Sequence, residues 1–333
     1  MKDLADGSRL TLALAVLSAG LLAAPLNSNA QTKVRAAALS FPTIINTAND
    51  VIKAKDLDKA NGLDSEVTVY GTVGAYYAGI AKGEVDVAVL APYQVSKMRG
   101  EGAPIAICST AVGMSDTHII SRDPAIKQFL DLRGRSLAAT VGFSSYQYLR
   151  IYSAKLGLKL GTDLSIVDAS TALMQAQLQA NRVDAILSWE PTTTRVLSQM
   201  PDARIILNGD EAWKSVTGDV GWDIVLAVND NWVTANPGGL ERMIKMFKDY
   251  GDFVDHNAEE ADAIISSEKY YTKGIPPGTI ATAVKARRLV IDVHPSWEPA
   301  INKQIWQIIE LGVKEGYIKA PERAAIYNAA PGK

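Results

Sequence analysis

Cysteine and histidine are scarce in this sequence of 333 residues. It contains one cysteine, Cys108, and three histidines, His118, His256 and His294. A single cysteine excludes an intramolecular disulfide and a zinc cluster. The histidines lack the spacing of a metal site such as HxxxH, so we expect neither a metal ion nor another cofactor.

The sequence also lacks an excess of charge of either sign. It has 34 basic and 36 acidic residues, for a formal net charge of -2, and no stretch in which basic residues concentrate. Nucleic-acid-binding proteins usually have an excess of basic residues or a stretch rich in them, so we exclude nucleic acid as a partner. Hydrophobic residues make up 47% of the chain and charged residues 21%, as in ordinary globular proteins, which excludes disorder and fibrous repeats.

Long uncharged hydrophobic runs are missing except at the N-terminus. The run that follows Arg9 is shorter than the ~20 residues needed to span a bilayer. Lys2 and Arg9 precede it, and Ser28 and Ala30 occupy the positions of small residues before a signal-peptidase site. We therefore predict a cleaved signal peptide over 1–30 and a periplasmic protein; an uncleaved anchor or a buried helix is the alternative.

Short runs rich in Val, Ile and Ala alternate with helical stretches along the chain. The predicted strands cover residues 33–39, 66–71, 85–91, 105–109, 117–121, 136–141, 164–168, 185–189, 204–207 and 223–228. The predicted helices cover residues 72–82, 144–156, 171–180, 240–257, 258–268, 277–290, 296–314 and 321–327. Nearly continuous apolar runs are typical of strands buried on both faces, and this alternation predicts parallel sheets with helices on both sides. We interpret Lys285, Arg287 and Arg288 as a solvated helix face.

One pattern occurs twice. Residues 81–86 (AKGEVD) and 180–184 (ANRVD) each end a helix, turn, and start a strand with Val-Asp. Each of these strands then ends at a proline, Pro92 in the first case and Pro191 in the second. The repetition predicts two similar α/β halves, although such turns between helix and strand are also common in unrelated folds.

Polar residues suited to helix N-caps follow several predicted strands: Thr43, Thr72, Ser144, Ser170 and Thr192. Ligands of open α/β sheets bind outside the carboxyl ends of the strands, and helix N-termini favour an anion. The turn at 142–145 is the strongest candidate, because Gly142 lets the backbone approach a ligand closely and two hydroxyls follow it. Every helix needs a cap, so a purely structural role is the alternative at each position.

Aromatic residues make up only 7% of the chain, yet they concentrate at the same strand ends. Those at or one turn beyond a strand end are Phe41, Tyr76, Tyr77, Tyr93, Phe143, Tyr146, Trp189 and Trp222. Such rings suit the flat or apolar body of a ligand. We expect half of them to line a cleft and the others to belong to the core.

Catalytic groups are poorly placed. Asp116 and His118 fall on one face of a predicted strand without a nucleophile, and Glu190 is the one carboxylate that we place at a cleft strand end. A single carboxylate accepts a ligand amine or caps a helix more readily than it supports acid–base chemistry. The G-x-S-x-G, P-loop and G-x-G-x-x-G motifs are missing. We therefore predict a protein without enzymatic activity.

Three segments resemble the substrate-binding proteins of ABC importers for nitrate, alkanesulfonate and taurine. They are GEVD at 83–86, LRGRSLAATVG at 132–142 with the following Ser144 and Ser145, and VDAILSWEP at 183–191, which is similar to the W-[DE]-P turn of that family. The resemblance extends over residues 33–235, with looser helical agreement to the C-terminus. The family also includes binders of aromatic acids and of thiamine-pyrimidine precursors.

The resemblance implies a type II periplasmic binding protein, an α/β fold of two lobes. Each lobe is expected to be a mainly parallel sheet flanked by helices, with a helical C-terminal region. Lobe 1 would comprise residues 31–113 and 221–333, and lobe 2 residues 114–220. The ligand would lie between the lobes, and hinge closure would trap it.

The resemblance also implies which residues contact the ligand. The contact positions of the family correspond here to Ser40, Phe41, Thr72, Pro92, Tyr93, Gly113, Met114, Gly142, Phe143, Ser144, Ser145, Trp189, Glu190 and Trp222. Two departures shift the expected ligand. Ala75 stands where sulfonate binders often have glutamine, and the turn at Pro92 and Tyr93 is bulkier and less polar than theirs. These departures disfavour taurine and small alkanesulfonates, and they favour an aromatic carboxylate or a heterocycle.

The implied function is that of a monomeric periplasmic receptor. It would capture a small organic anion between its lobes and deliver it to the ABC permease in the inner membrane. One alternative is a binder of a thiamine-pyrimidine-type heterocycle, or an enzyme that acts on such a precursor with Glu190, Asp116 and His118 as its candidate groups. Another is a receptor that presents its ligand to a sensor instead of an importer.

Overall fold

The computed structural model describes residues 31–321 and 324–330 of the chain. The predicted signal peptide over 1–30 lies outside the described residues. In the described part, the chain alternates strands and helices up to residue 229 and is mainly helical after it. Within the same part, no helix is both long and apolar enough to cross a lipid bilayer.

Each predicted strand overlaps a strand of the structure, so the predicted strand positions are confirmed. The strands are β1 (Thr32–Leu39), β2 (Leu63–Tyr70), β3 (Val87–Leu90), β4 (Ile105–Gly113), β5 (Thr117–Ser121), β6 (Ser136–Ala139), β7 (Ser165–Asp168), β8 (Ala185–Trp189), β9 (Arg204–Asn208) and β10 (Trp222–Asn229). The helices are α1 (Ile44–Ala54), α2 (Leu57–Ala60), α3 (Val73–Ala81), α4 (Pro92–Gly100), α5 (Ser144–Lys155), α6 (Thr171–Gln179), α7 (Thr192–Gln199), α8 (Gly209–Thr217), α9 (Asp230–Ala235), α10 (Gly239–His256), α11 (Ala258–Ser266), α12 (Thr279–Lys285) and α13 (Pro299–Lys314). Short 3₁₀ turns are formed by Met114–Asp116 and Phe129–Leu132.

The strands form three sheets. β1 and β2 are parallel to each other. In the order β3-β10-β4, β10 lies between its two neighbours and runs antiparallel to both. In the order β7-β6-β8-β5-β9, β5 is antiparallel to β8 and β9, whereas β6 is parallel to β7 and β8. In each larger sheet one strand is therefore reversed and the others share a direction, which confirms mainly parallel sheets.

Successive residues of the five-stranded sheet face opposite sides. Ile119 of β5 packs with Leu149 of α5 in one hydrophobic cluster, and the next residue, Ile120, packs with Val196 of α7 in another. Side chains alternate in this way along every strand, so helices cover both faces of the sheet. Full burial of each such side chain stabilises the fold by about 1.5–3 kcal/mol.

The helix α10 shows how the C-terminal region attaches. Its buried side chains include Leu240, Met243, Ile244 and Phe247. They are spaced so that they fall on one face of the helix. All four belong to the hydrophobic cluster that also contains Val34 of β1. The C-terminal helices therefore pack with the sheets that begin the chain.

We call the β1-β2 and β3-β10-β4 sheets the first group of sheets, and the five-stranded sheet the second group. The chain passes between the two groups at two places. It leaves β4 through the turn Met114–Asp116 to enter β5, and it returns between α8 and β10. The strands between these crossings, β5 to β9, form one sheet. On this basis we propose the lobe boundaries that the sequence predicts, 31–113 with 221–333 and 114–220.

The structure corrects the predicted C-terminal helix over 321–327. Ile326 forms a parallel bridge with Ile107 of β4, and the N–H of Tyr327 donates to the carbonyl of Ile107 at 3.0 Å. β4 lies at the edge of its sheet, so its outer backbone groups need partners. The segment supplies them by pairing as a strand does, and the prediction of a helix there is wrong. The predicted helix over 277–290 is shortened to Thr279–Lys285.

Candidate ligand-binding site

A cavity lies where the strand ends of the two groups of sheets face each other. The space between the protein atoms here, counted together with the part that is open to solvent, is about 680 Å³. Its lining residues are Leu39, Phe41, Thr43, Ile44, Ile45, Val73, Tyr76, Tyr77, Leu90, Ala91, Asp116, Phe143, Ser144, Ser145, Trp189, Asp223 and Ile224. They come from both groups of sheets, so the cavity is shared between them.

The first group of sheets contributes two strand ends and a capped helix. Leu39 ends β1 and Leu90 ends β3. Thr43 precedes α1 as its N-cap, and its hydroxyl oxygen accepts a hydrogen bond from the N–H of Ile45 at 2.9 Å. The predicted cap at Thr43 is therefore confirmed. This cap fixes the start of α1 directly beside the end of β1.

The second group of sheets contributes the start of α5. Phe143 is the N-cap of this helix and makes no side-chain capping bond, so the first N–H groups of α5 need other partners. Ser144 and Ser145 follow as the first helical residues and line the cavity. The prediction of Ser144 as the N-cap is wrong by one position. The start of α5 nevertheless offers N–H and hydroxyl donors to a ligand.

Aromatic rings line the cavity in two pairs. The rings of Phe143 and Trp189 have centroids 5.0 Å apart and are tilted by 45°, and those of Tyr76 and Tyr77 are 5.8 Å apart. With Phe41, these are the predicted aromatic residues that line the cavity. The predicted rings outside its lining are Tyr93, Tyr146 and Trp222. The sequence therefore predicts the aromatic character of the cavity.

The structure brings together only part of the implied contact positions. Those in the cavity lining are Phe41, Phe143, Ser144, Ser145 and Trp189. Those outside it are Ser40, Thr72, Pro92, Tyr93, Gly113, Met114, Gly142, Glu190 and Trp222. Most of the second set directly precede or follow a lining residue in the chain, so they lie beside or behind the lining. Ligand contact at these positions stays a prediction.

Two positions outside the lining have structural partners. Thr72 is the N-cap of α3, and its hydroxyl oxygen accepts a hydrogen bond from the N–H of Ala75 at 3.1 Å, which confirms the predicted cap. The indole N–H of Trp222 donates to the side-chain oxygen of Gln304 at 2.9 Å. Both side chains therefore support the elements around the cavity.

Glu190 is fully buried and fully engaged. Arg288 Nε donates to its Oε1 at 2.8 Å, and the hydroxyl and N–H of Thr194 donate to Oε1 and Oε2 at 3.0 and 3.1 Å. The side chain of Arg288 is only 18% exposed. The interpretation of Arg288 as part of a solvated face is therefore wrong, whereas Arg287 fits it and pairs with Asp255 at the surface.

Two carboxyl groups that line the cavity, those of Asp116 and Asp223, are not at the carboxyl end of a strand. A search of strand ends alone therefore does not predict them. Asp116 directly precedes β5, whose first residue pairs with Trp189 at the end of β8. Asp223 is near the start of β10, two residues before Val225, which pairs with Leu90 at the end of β3. β5 and β10 are the reversed strands, so their beginnings lie where their neighbours end. A rule that includes the beginnings of antiparallel strands finds both residues.

Both carboxyl groups are buried, with Asp116 1% and Asp223 5% exposed. Burial raises the pKa of Asp223 to about 6, although a hydrogen bond from the Ser144 hydroxyl opposes the rise. Burial also raises the pKa of Asp116 well above its usual range, and the charge of Asp223 adds to this effect. The hydroxyl of Thr117, 3.1 Å from Oδ1 of Asp116, lowers the same pKa.

His118 lines a second, smaller cavity, which Met114 also lines. Neither ring nitrogen of His118 has a hydrogen-bond partner among the described residues. Burial and the positive charge of Arg288 lower its pKa to about 3, so the imidazole is neutral at physiological pH. Asp116, His118 and Glu190 therefore do not surround one space. In the described part of the chain, no cluster of three or more His, Cys, Asp or Glu side chains could hold a metal ion.

The chain matches the family described as NMT1/THI5 like over residues 51–261, more than half of its length. No significant match to a curated protein was found. The matched range contains the cavity-lining residues from Val73 to Ile224.

Several solved structures share the fold. The periplasmic aliphatic sulphonate binding protein SsuA from Escherichia coli is 16% identical, with a TM-score of 0.72 over 88% of this chain and 90% of that chain. The alkanesulfonate-binding protein SsuA from Xanthomonas axonopodis pv. citri bound to MOPS is 17% identical, with a TM-score of 0.69 over 90% of this chain and 99% of that chain. The periplasmic nitrate-binding protein NrtA from Synechocystis PCC 6803 is 17% identical, with a TM-score of 0.64 over 88% and 83% of the two chains. This likeness confirms the predicted type II periplasmic binding protein fold.

Proposed function

Because this chain belongs to the NMT1/THI5-like family and has the fold of type II periplasmic binding proteins, we propose that it is the solute-binding component of an ABC importer. It captures a small solute between its lobes in the periplasm and passes it to a permease in the inner membrane, without a chemical reaction. The observation that supports this most strongly is the cavity at the facing strand ends, which residues of both groups of sheets line.

Hinge closure would hold the solute in this cavity. The two groups of sheets are joined at two chain crossings, an arrangement that suits rotation of one lobe against the other. Phe143 and Trp189 come from the proposed lobe 2, and Phe41 and Tyr77 come from the proposed lobe 1. Closure brings these rings onto the body of the solute and excludes water from its polar groups.

A small organic anion is the solute class that the sequence predicts. The start of α5 supports this class, because N–H groups and the hydroxyls of Ser144 and Ser145 suit an oxyanion. The names of two of the similar structures, a sulphonate-binding and a nitrate-binding protein, support it as well. The aromatic lining favours an aromatic acid or a heterocycle over a small alkanesulfonate. Asp116 and Asp223 disfavour a simple anion, because their negative charges repel it.

The alternative of an enzyme has less support. Its candidate groups do not meet, since Glu190 is held by Arg288 and Thr194 while His118 lines the second cavity. A receptor that presents its solute to a sensor would use the same cavity and the same closure. A transport assay with the cognate permease separates these two roles.

Native mass spectrometry of the full chain, purified without denaturation, tests the proposal first, and we expect a co-purified small molecule. Added solutes then test it by thermal unfolding. A solute present at a hundredfold excess over its Kd stabilises the folded state by about 2.7 kcal/mol and raises Tm. Small-angle scattering should show a smaller radius of gyration with solute bound, because the hinge closes.

Tryptophan fluorescence adds a local readout, because Trp189 lines the cavity. Trp189→Phe is the matched control and should reduce the fluorescence response while the Tm shift persists. The proposal is contradicted if no molecule co-purifies and no sulfonate, carboxylate, heterocycle or amine changes Tm, fluorescence or the radius of gyration.

A further inference from the structure

Asp223 is a buried carboxyl group with an unused acceptor. The residue is 5% exposed, lines the cavity, and has no hydrogen-bond partner for its Oδ1 among the described residues. The hydroxyl of Ser144 lowers the pKa of the same carboxyl group. Buried polar atoms are almost always paired, so an unpaired acceptor at a cavity indicates a donor that comes from outside the protein.

Asp116 adds a second carboxyl group to the cavity. It is 1% exposed and accepts a hydrogen bond from the Thr117 hydroxyl at 3.1 Å. Asp223, Glu190 and Asp210 each act on Asp116 as negative charges. The electrostatic potential at this end of the cavity is therefore negative.

Among the described residues, the cavity lining has no positively charged side chain that could balance these carboxyl groups. The described residues that line the cavity include no lysine, arginine or histidine. The negative charge of Asp223 raises the pKa of the Tyr77, Tyr93 and Tyr148 hydroxyls, and the Ser144 hydroxyl lowers the pKa of Asp223. Arg288, which acts on nearby His118, is already bound to Glu190. A buried carboxylate without a counter-charge is unfavourable, and it either takes up a proton or binds a cation.

We propose that Asp116 and Asp223 together bind a positively charged nitrogen group of the solute, so that the solute is an organic cation or zwitterion with an ammonium or amidinium group. This inference rests on the proposed function, because it assigns the solute class of the same cavity. The N–H groups of the solute donate to Oδ1 of Asp223 and to the carboxyl group of Asp116. The ring faces of Phe143 and Trp189 also attract the cation.

The same geometry disfavours a solute that is only anionic. Ser144 links Asp223 to the start of α5, where helix N–H groups would hold an oxyanion. An anion at this place meets the charge of Asp223 unless that carboxyl group is protonated. A cationic nitrogen at the two carboxyl groups removes the conflict, and a zwitterion then places its anionic group at the helix start.

Probes of matched shape and different charge test the inference on the full chain. Benzamidinium, benzamide and benzoate share a ring and a similar size, and phenethylammonium and phenylpropanoate add a pair with a longer linker. We expect each cation to bind more tightly than its anionic counterpart, and benzamidinium to bind about tenfold more tightly than benzamide. Isothermal titration calorimetry measures each affinity.

The outcomes separate this inference from the proposed function. Tighter binding of the anionic probes, or a co-purified solute without a cationic nitrogen, overturns the inference and leaves the solute-binding role intact. If no probe of either charge binds and no solute co-purifies, both are overturned.

Asp223→Asn removes the charge and keeps the shape of the side chain. We expect benzamidinium affinity to fall about tenfold or more, while benzoate affinity rises. Asp252→Asn on the exposed face of α10 is the matched control and should leave all affinities within about twofold. An equal loss for every probe in Asp223→Asn contradicts the inference. Asp116→Asn is the second variant, with the same expected order of effects, should Asp223→Asn fail to fold.

The pH dependence gives an independent readout. Burial raises the pKa of both Asp116 and Asp223, so both groups lose their protons as the pH rises through their raised range. Affinity for benzamidinium should increase with pH over this range, and affinity for benzoate should decrease. The opposite order contradicts the inference.

Discussion

Glu190 and Asp223 are both buried carboxyl groups, but their surroundings differ. Both oxygens of Glu190 accept hydrogen bonds, from Arg288 and from the hydroxyl and N–H of Thr194. Asp223 interacts with the Ser144 hydroxyl, and its Oδ1 lacks a partner in the described part of the chain. The chain itself satisfies Glu190, whereas Asp223 stays open to a group that the chain does not supply.

This difference separates a structural carboxylate from a ligand-binding one. Ligand contact at Glu190 stays a prediction, and Arg288 of the C-terminal region already donates a hydrogen bond to it. Under the proposed lobe boundaries, Glu190 belongs to lobe 2 and Arg288 to lobe 1, so their ion pair ties the lobes together. Donors within the chain, more than position at a strand end, therefore decide which carboxyl group remains for a solute.

Removal of Arg288 should have the largest effect on stability. Arg288→Met leaves Glu190 buried without its counter-charge, so we expect the free energy of unfolding to fall by about 3–5 kcal/mol. Urea unfolding measures this loss. Arg287→Met is the matched control, because Arg287 and Asp255 are 62% and 50% exposed, and it should cost less than about 1 kcal/mol.

A second variant checks the cause of that loss. Arg288→Met combined with Glu190→Gln removes the buried charge as well as its partner, so it should recover part of the lost stability. Equal and small losses in Arg288→Met and Arg287→Met would show that Glu190 does not depend on Arg288.

Asp223→Asn should raise the free energy of unfolding of the solute-free protein, whereas Arg288→Met lowers it. Burial raises the folded-state pKa of Asp223 from 3.8 to about 6, so the folded state holds this proton more strongly than the unfolded state. The resulting stability is fully present below pH ~4 and is lost as the pH rises through about 6. At pH 7 we expect the variant to be more stable than the wild type by up to about 3 kcal/mol.

Urea unfolding at pH 4 and pH 7 measures this difference, which should nearly vanish at the lower pH. Asp116 shifts in the same direction, so the double variant with Asp116→Asn should gain further. A loss of stability in Asp223→Asn at pH 7 would show that the chain satisfies this carboxylate after all.

Trp189 tests an apolar contact of the same cavity and should have a smaller effect. Its ring lies 5.0 Å from that of Phe143, and loss of such an aromatic pair costs about 0.5–1.5 kcal/mol beyond the lost burial. We expect Trp189→Ala to lower solute affinity about tenfold, and Trp189→Phe to lower it less. Calorimetry is the suitable measurement, because both variants lose the fluorescence of Trp189 itself. Unchanged affinity in Trp189→Ala would place the solute elsewhere.

The strands could be predicted because burial on both faces leaves a local signal. All four residues of β3, Val87–Leu90, are buried, and an uninterrupted apolar run of this kind has few other interpretations. The position of the cavity follows from the same strands, since their carboxyl ends meet at one edge. This local information correctly gave Phe143 and Trp189 as neighbours of one cavity.

The polar partners could not be predicted because they depend on distant parts of the chain. Arg288 and Glu190 are 98 positions apart, and no local pattern distinguishes Arg288 from the exposed Arg287. A search of predicted strand ends does not include Asp223, because β10 is reversed within its sheet and Asp223 lies near its beginning. Ile326 pairs with the edge of β4, and the local composition of its segment does not reveal that edge.

Thr72 and Ser170 differ in whether the side chain makes a hydrogen bond within the chain, and we expect this difference to have the smallest effect on stability. Both are N-caps, of α3 and α6, but only the Thr72 side chain makes a capping bond, to the N–H of Ala75 at 3.1 Å. Thr72→Ala should cost about 1 kcal/mol, whereas Ser170→Ala should change the free energy of unfolding by less than about 0.5 kcal/mol. Urea unfolding of the two variants measures the difference, and equal losses would mean that residue type at a cap matters more than the bond it makes.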